Sequence, residues 1–291
     1  MAGYLTHFGL RQAPFGSTPN PDFAYSTKEH QMAIAKIQYV VDERQGFMLL
    51  QGNNGTGKTT VSQFLMNEWR NDTSLAVANI LNPSVRTQSQ FLRMILEKFI
   101  PDKEAPRYRD QLWRELESYL VSNYQKKVAT VLVIDEAQAI SSENMGTLTH
   151  IANFQTQQWK LIQIVLLAQP DITKKLIYHP ALQDRIAHGF TLNPLSFDDA
   201  IEMLRFRVER AGGHFDTMFP DMNHAIYNAT KGIPRRLCML CDNMMVNAFA
   251  NKRKTMTDED LQNALTDLHF KGWQDADPVK VAKPVTKKAG K

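Results

Sequence analysis

The 291-residue sequence carries 34 Lys and Arg against 30 Asp and Glu, a formal net charge of +4, with 43% hydrophobic residues and two cysteines. That composition supports a sizeable core in one large domain or two modest ones, and its longest apolar runs, at 128–134 and 164–168, fall far below the roughly 18 residues of a membrane span. Two cysteines exclude a disulfide framework, and the N-terminus lacks the charged start, apolar stretch and cleavage site of a secretory leader, so a cytoplasmic protein with no membrane partner is expected. Five lysines (Lys280, Lys283, Lys287, Lys288 and Lys291) stand in residues 279–291, which hold no acid, so the remainder carries a formal charge of about −1. Any nucleic-acid surface on the body must come from local patches.

Residues 1–28 interleave Tyr4, Phe8, Phe15, Phe23 and Tyr25 with glycines and prolines that interrupt any regular period. An irregular segment packed on the body is expected there. Residues 28–42 place Met32, Ile34, Ile37, Val40 and Val41 at helical spacing. The apolar run Phe47-Met48-Leu49-Leu50 reads as a strand and leads into Gly52-Asn53-Asn54-Gly55-Thr56-Gly57-Lys58-Thr59, the spacing G-x-x-x-x-G-K-[ST] of a phosphate-binding loop. Backbone N–H groups of such a loop point inward and cradle phosphate oxygens. Lys58 is expected to reach the β- and γ-phosphates and the Thr59 hydroxyl to ligate Mg²⁺. The helix opening near Lys58 aims its positive end at the same anion, and Thr60 completes the nucleotide-binding set.

Further strands are expected at 75–81, 128–134 and 161–168, alternating with helices at 88–99, 108–124 and 143–154 and a loop at 101–106. That alternation implies a mostly parallel sheet covered on both faces. The strand Val131-Leu132-Val133-Ile134 ends in Asp135 and Glu136. Adjacent acids at a strand end can cap a following helix; about 75 residues after a phosphate loop they also suit Asp135 as the carboxylate of the Mg²⁺ shell and Glu136 as the base that polarises water. Helices follow at 196–210, with Ser196 and Asp199 as an N-terminal cap, and at 221–229, 237–250 and 257–270. Cys238 and Cys241 have C-x-x-C spacing, but a zinc site needs four ligands and no second pair stands at suitable spacing; they read as small buried helix residues.

Taken together, the phosphate loop, the intervening strand and the acid pair resemble the AAA+ ATPases. The opening Tyr4-Leu5-Thr6-His7-Phe8-Gly9-Leu10, Ala13-Pro14-Phe15, Pro19, Pro21 and Tyr25 resembles the ExeA/GspA general-secretion type, which is related to the TnsC, TniB and MuB transposition ATPases. The resemblance implies an α/β P-loop NTPase fold, a parallel sheet flanked by helices in residues 1–195, then a small all-α lid in 196–272. It implies ATP as substrate with Mg²⁺, and ATP hydrolysis. Gln169 then corresponds to a polar sensor facing the γ-phosphate, with Ala168 standing where the G-Q-P pattern has glycine. Arg185, in Leu182-Gln183-Asp184-Arg185-Ile186, corresponds to a finger reaching a neighbouring subunit's site. Arg235, in Gly232-Ile233-Pro234-Arg235, corresponds to a second sensor from the lid, with Arg236 a weaker alternative.

Residues 273–291 are expected to be a disordered basic tail. ExeA-type proteins continue into a membrane span and a peptidoglycan-binding domain, which this sequence does not contain, so a stand-alone cytoplasmic regulator is expected. The implied partners are further copies of the chain in a ring or filament, double-stranded DNA held through its backbone, and a transposase or other protein. An assembly ATPase acting on secretion proteins is the alternative.

Overall fold

The structure, a computed structural model, describes residues 2–16 and 21–268. Pro19, the tail expected at 273–291 and the last residues of the helix expected at 257–270 lie outside the described residues. In chain order the elements are α1 (Ala2–Phe8), α2 (Lys28–Asp42), β1 (Phe47–Gly52), α3 (Lys58–Trp69), β2 (Leu75–Ile80), α4 (Gln88–Phe99), α5 (Arg109–Gln125), β3 (Ala129–Ile134), α6 (Ser142–Ile151) and β4 (Ile162–Ala168). The short α7 (Ile172–Leu176) and α8 (Pro180–Gln183) lead to β5 (His188–Leu192), and α9 (Phe197–Arg210), α10 (Phe215–Met218), α11 (Asn223–Thr230), α12 (Pro234–Ala250) and α13 (Asp258–Asp267) follow.

The five strands form one parallel sheet in the order β2-β3-β4-β1-β5. β4 therefore lies between the strand that feeds the phosphate loop and the strand that ends in the acid pair, with Leu49 opposite Leu166 and Val133 opposite Val165. Side chains alternate across a pleated strand, which sorts the apolar runs into two layers. Phe47, Leu49, Leu132, Ile134, Ile164 and Leu166 pack with α4, α5 and α6. Met48, Leu50, Val131, Val133, Val165 and Leu167 pack with α2 and α3. Burial on both faces is why these strands read as near-continuous apolar runs.

Helices α9 to α13 enclose a separate core that includes Leu204, Val208, Phe215, Leu240, Met244 and Met245. Cys241 is buried within it and Cys238 packs against it. Ser196 caps α9, its hydroxyl accepting from Asp199 N at 3.1 Å. Thr257 caps α13 in a reciprocal box with Asp260.

One sequence expectation needs correction, and one strand goes beyond those expected from the sequence. The N-terminal segment is not wholly irregular, because it opens with the seven-residue helix α1. It packs on the helical core: Leu10, Phe15 and Phe23 are buried there, Tyr4 and His7 meet Phe249 edge-on, and the Tyr4 hydroxyl donates to Asp242. A helix this short is not stable alone, so tertiary packing on α12 makes it. Secondly, residues 188–192 form a fifth strand, pairing with β1 from Met48–His188 to Gly52–Leu192; being an edge strand, it is only partly buried and carries no strong apolar alternation. Among the described residues, no helix is long and apolar enough to cross a membrane.

Candidate nucleotide site

The phosphate loop joins β1 to α3 at the C-terminal edge of the sheet, where open α/β folds bind ligands. Gly55 and Gly57 take φ values of 82° and 105°, left-handed conformations that side chains oppose. Close approach matters equally. A Cβ on Gly55 would stand 2.6 Å from the Arg235 Cβ, and one on Gly52 would stand 2.8 Å from the Leu192 carbonyl oxygen.

Lys58 is buried at the first position of α3, and its Nζ donates to the carbonyls of Gly52 at 2.8 Å and Asn53 at 3.1 Å. Burial lowers its pKa from the ordinary lysine value, while Glu136 and Asp135 pull it back up. Thr56 closes the loop with a 2.9 Å bond from its hydroxyl to the Asn53 carbonyl. Thr59 and Thr60 stand exposed on the first turn of α3, and Asn54 is exposed at the loop tip.

The acid pair lies directly across. The Thr59 hydroxyl donates to Asp135 Oδ2 at 2.8 Å. Asp135 is buried at the end of β3, and its other oxygen accepts from Glu136 N at 2.9 Å. Glu136 adopts a left-handed φ of 51°, a costly backbone for a non-glycine residue. Glu136 Oε2 accepts from Gln169 Nε2 at 3.3 Å and also from the side-chain amide of Gln138. Gln138 completes the triangle by accepting from Gln169 N at 2.9 Å. Gln169, at the end of β4, thus joins Glu136 both directly and through Gln138, a residue that motif spacing does not single out.

From the helical side, Arg235 N donates to the Gly55 carbonyl at 3.2 Å, so the opening of α12 rests on the loop. Pro234 at the start of α12 has no N–H to leave unpaired. Arg185 bonds elsewhere: its guanidinium donates to Ala181 O at 2.7 Å and Asn153 Oδ1 at 2.6 Å.

A second residue missed by motif spacing is His30, buried on the first turn of α2 against Gly57. In the sequence, Thr27 and His30 signal only a helix start. The ring also lines a cavity of about 210 Å³ with Tyr25, Thr60, Phe64 and Arg207. A larger open groove of about 450 Å³, lined by Gln88, Arg109, Trp113, His150 and Phe154, shares no residue with this site.

The donor set suits Mg²⁺: one hydroxyl and one carboxylate oxygen, both hard, beside a loop for phosphates that would supply the remaining ligands. Among the described residues no cluster of His, Cys, Asp or Glu could hold a metal by itself.

Residues 41–176 match the family model described as an AAA domain. The chain is 34% identical over 252 residues to General secretion pathway protein A of Aeromonas hydrophila, an alignment covering 85% of this chain and 45% of that protein. It therefore spans less than half the length of that relative. Among solved structures it is similar to Drosophila ORC bound to DNA, with a TM-score of 0.68 at 17% identity over 92% of this chain and 66% of that one. It is also similar to Cdc6p from Pyrobaculum aerophilum, with a TM-score of 0.67 at 18% identity over 86% and 71% of the two chains. At these identities the likeness establishes the fold alone: an AAA+ P-loop sheet flanked by helices and followed by a helical region.

Proposed function

We propose that the chain is an AAA+ ATPase of the ExeA/GspA type that binds ATP with Mg²⁺ and hydrolyses it. The observation that carries this reading is the 2.8 Å contact of Thr59 with Asp135 at the mouth of the phosphate loop, with Glu136 tied to Gln169 one residue beyond. Gly52 to Thr60 would hold the phosphates. Thr59 and Asp135 would hold Mg²⁺, which when bound neutralises charge on the β- and γ-phosphates. Lys58 turns its ammonium from the loop carbonyls towards those oxygens. Glu136 orients the attacking water and takes its proton as the γ-phosphorus parts from the bridging oxygen. Gln169 positions the same water. Arg235 acts from the helical side, where its backbone already meets Gly55.

Arg185 is assigned to a neighbouring subunit's site as a finger that neutralises transition-state charge. What supports a contribution in trans is that its guanidinium bonds to Ala181 and Asn153 rather than to the acid pair of its own chain. The active form is accordingly a ring or filament in which each site is completed by the next copy.

The proposed partner is double-stranded DNA, held through its backbone, in a regulator of the transposition or mobile-element kind; the fold likeness to ORC bound to DNA supports it. A second reading, an assembly ATPase acting on secretion proteins, is supported by the 34% identity to General secretion pathway protein A. Electron microscopy of the full chain with a non-hydrolysable ATP analogue, with and without duplex DNA, tests both. ATP-dependent oligomers that coat DNA and release it steeply with added salt support the first reading. Oligomers indifferent to DNA at low salt support the second, and a monomer under all conditions removes the finger role of Arg185.

A further inference from the structure

The first turn of α2 carries a side chain that neither the phosphate-loop motif nor the acid pair accounts for. His30 is 7% exposed, and its ring nitrogens are committed to two different elements. On one side, Nδ1 lies 2.6 Å from Thr27 Oγ1 and 3.4 Å from Thr27 N. Thr27 Oγ1 already accepts from His30 N at 3.3 Å, so its own proton is free to point at Nδ1. With a hydroxyl and an amide N–H both facing it, Nδ1 is the acceptor, and the ring proton resides on Nε2. Helix caps of this reciprocal form ordinarily use Glu or Gln at the third position; a glutamate would complete the box but carry no second donor onward, whereas an imidazole or an amide can do both.

That second donor meets the phosphate loop. The Thr56 backbone bears on the ring and favours its protonated form, as a carbonyl facing a ring N–H does. Nε2 also lies against the Cα of Gly57: a Cβ built there would stand 2.4 Å from it. The loop therefore needs glycine at position 57 for a φ of 105° and equally for the approach of the imidazole. The residue next to His30 reaches elsewhere. Glu29 accepts from Asn193 N at 3.0 Å and from its side chain at 3.3 Å, in the segment between β5 and α9.

We propose that His30 is a positioning residue for nucleotide binding, its Nε2–H bracing the Thr56–Gly57 segment so that the loop's amides stay converged before phosphate arrives. The cap at Thr27 sets the ring's tautomer and its angle. The brace belongs to the loop rather than to the acid pair, and it touches neither water nor the γ-phosphate. It acts equally on bound substrate and on the transition state, so its loss raises KM and leaves kcat largely alone. The proposal rests on the reading of the loop as the ATP site.

Two near-isosteric replacements separate the brace from the cap. In His30→Gln the terminal amide nitrogen reaches the place of Nε2, whereas in His30→Asn the amide oxygen takes the place of Nδ1. Steady-state ATP hydrolysis and equilibrium ATP binding are measured on the full chain for the wild type, His30→Ala, His30→Gln, His30→Asn and Lys58→Ala, with folding checked by circular dichroism. Expected are an increase in KM of about tenfold for His30→Ala and for His30→Asn, with kcat within about twofold, and restoration to within about threefold in His30→Gln. If His30→Ala does not fold, the Gln and Asn variants decide alone. Any pattern other than restoration by Gln and not by Asn overturns the assignment to Nε2, and unchanged KM in His30→Ala overturns the brace altogether. Failure of the wild type to bind ATP, or full binding by Lys58→Ala, overturns the site reading and this proposal with it.

Discussion

The two ends of the site are held by different kinds of bond. At the phosphate loop the restraints act on main-chain groups: Lys58 is parked on the Gly52 and Asn53 carbonyls, Arg235 N meets the Gly55 carbonyl, and two glycines adopt φ values that side chains oppose. At the acid end side chains do most of the holding: Glu136, Gln138 and Gln169 share three hydrogen bonds, two between side chains and one from the Gln169 main-chain N–H. A main-chain cradle is set by the fold and recognises charge wherever phosphate arrives. A side-chain triangle can let go of one member and take up water instead. Damage to the first should appear as lost binding and damage to the second as lost turnover.

The largest effect is expected at the loop. Lys58→Ala removes the only side-chain cation of the motif and should lower kcat/KM for ATP by about a thousandfold, ~4 kcal/mol of transition-state stabilisation, with nucleotide binding weakened in parallel when titrated directly. Full ATPase activity in this variant would break the comparison at its root. Glu136→Gln comes next. Carboxylate and amide have the same shape, so ATP binding should be retained while kcat falls by about a hundredfold or more, the range of a removed general base. A loss confined to KM would place Glu136 with the cradle instead.

Gln138→Ala sharpens the division within the acid end. It removes one donor to Glu136 and the acceptor for Gln169 N, but it touches no loop residue. An amide left without its partner costs about 1–3 kcal/mol when buried; Gln138 is only partly buried, so a fall in kcat of about tenfold with KM unchanged is expected in steady-state assays. Equal losses in kcat and binding would mean that the triangle also shapes the cradle.

These differences track what could be read along the chain. Gly52 to Thr59 and Asp135-Glu136 could be singled out as candidates because the motifs they match are defined by covalent spacing, which folding cannot alter. The three central strands were legible because burial on both faces makes them uniformly apolar. Gln138 and His30 were not, because each works through a partner remote in sequence: Gln169 lies 31 positions from Gln138, and Gly57 lies 27 from His30. Nothing local distinguishes either from an ordinary polar side chain. Helix α1 is stabilised by α12, more than 230 positions away, so its own propensity carried little signal. Arg185 is the extreme case, since the surface proposed to receive it belongs to another copy of the chain.

The smallest expected effect separates cradle from triangle by pH. Burial holds His30 below the ordinary imidazole value of 6.5, against the opposing pull of the Thr56 hydrogen bond and of the Glu29 and Asp199 carboxylates. Its folded pKa therefore lies below its unfolded one, and between the two the unfolded chain binds more protons. The stability it confers is complete above about pH 6.5 and is lost as pH falls towards and through the folded value. Asp242 works the other way at lower pH, because burial raises its carboxyl above the ordinary 3.8, and a single acid titration would mix the two. The informative quantity is the difference between wild type and His30→Gln, which has nothing to titrate at that position. Denaturant unfolding at pH 7.5 and 5.5 should show the wild type losing more stability than the variant. Equal losses would mean that the imidazole takes up its proton without disturbing its contacts with Thr27 and Thr56, and the loop would then be indifferent to the charge beneath it.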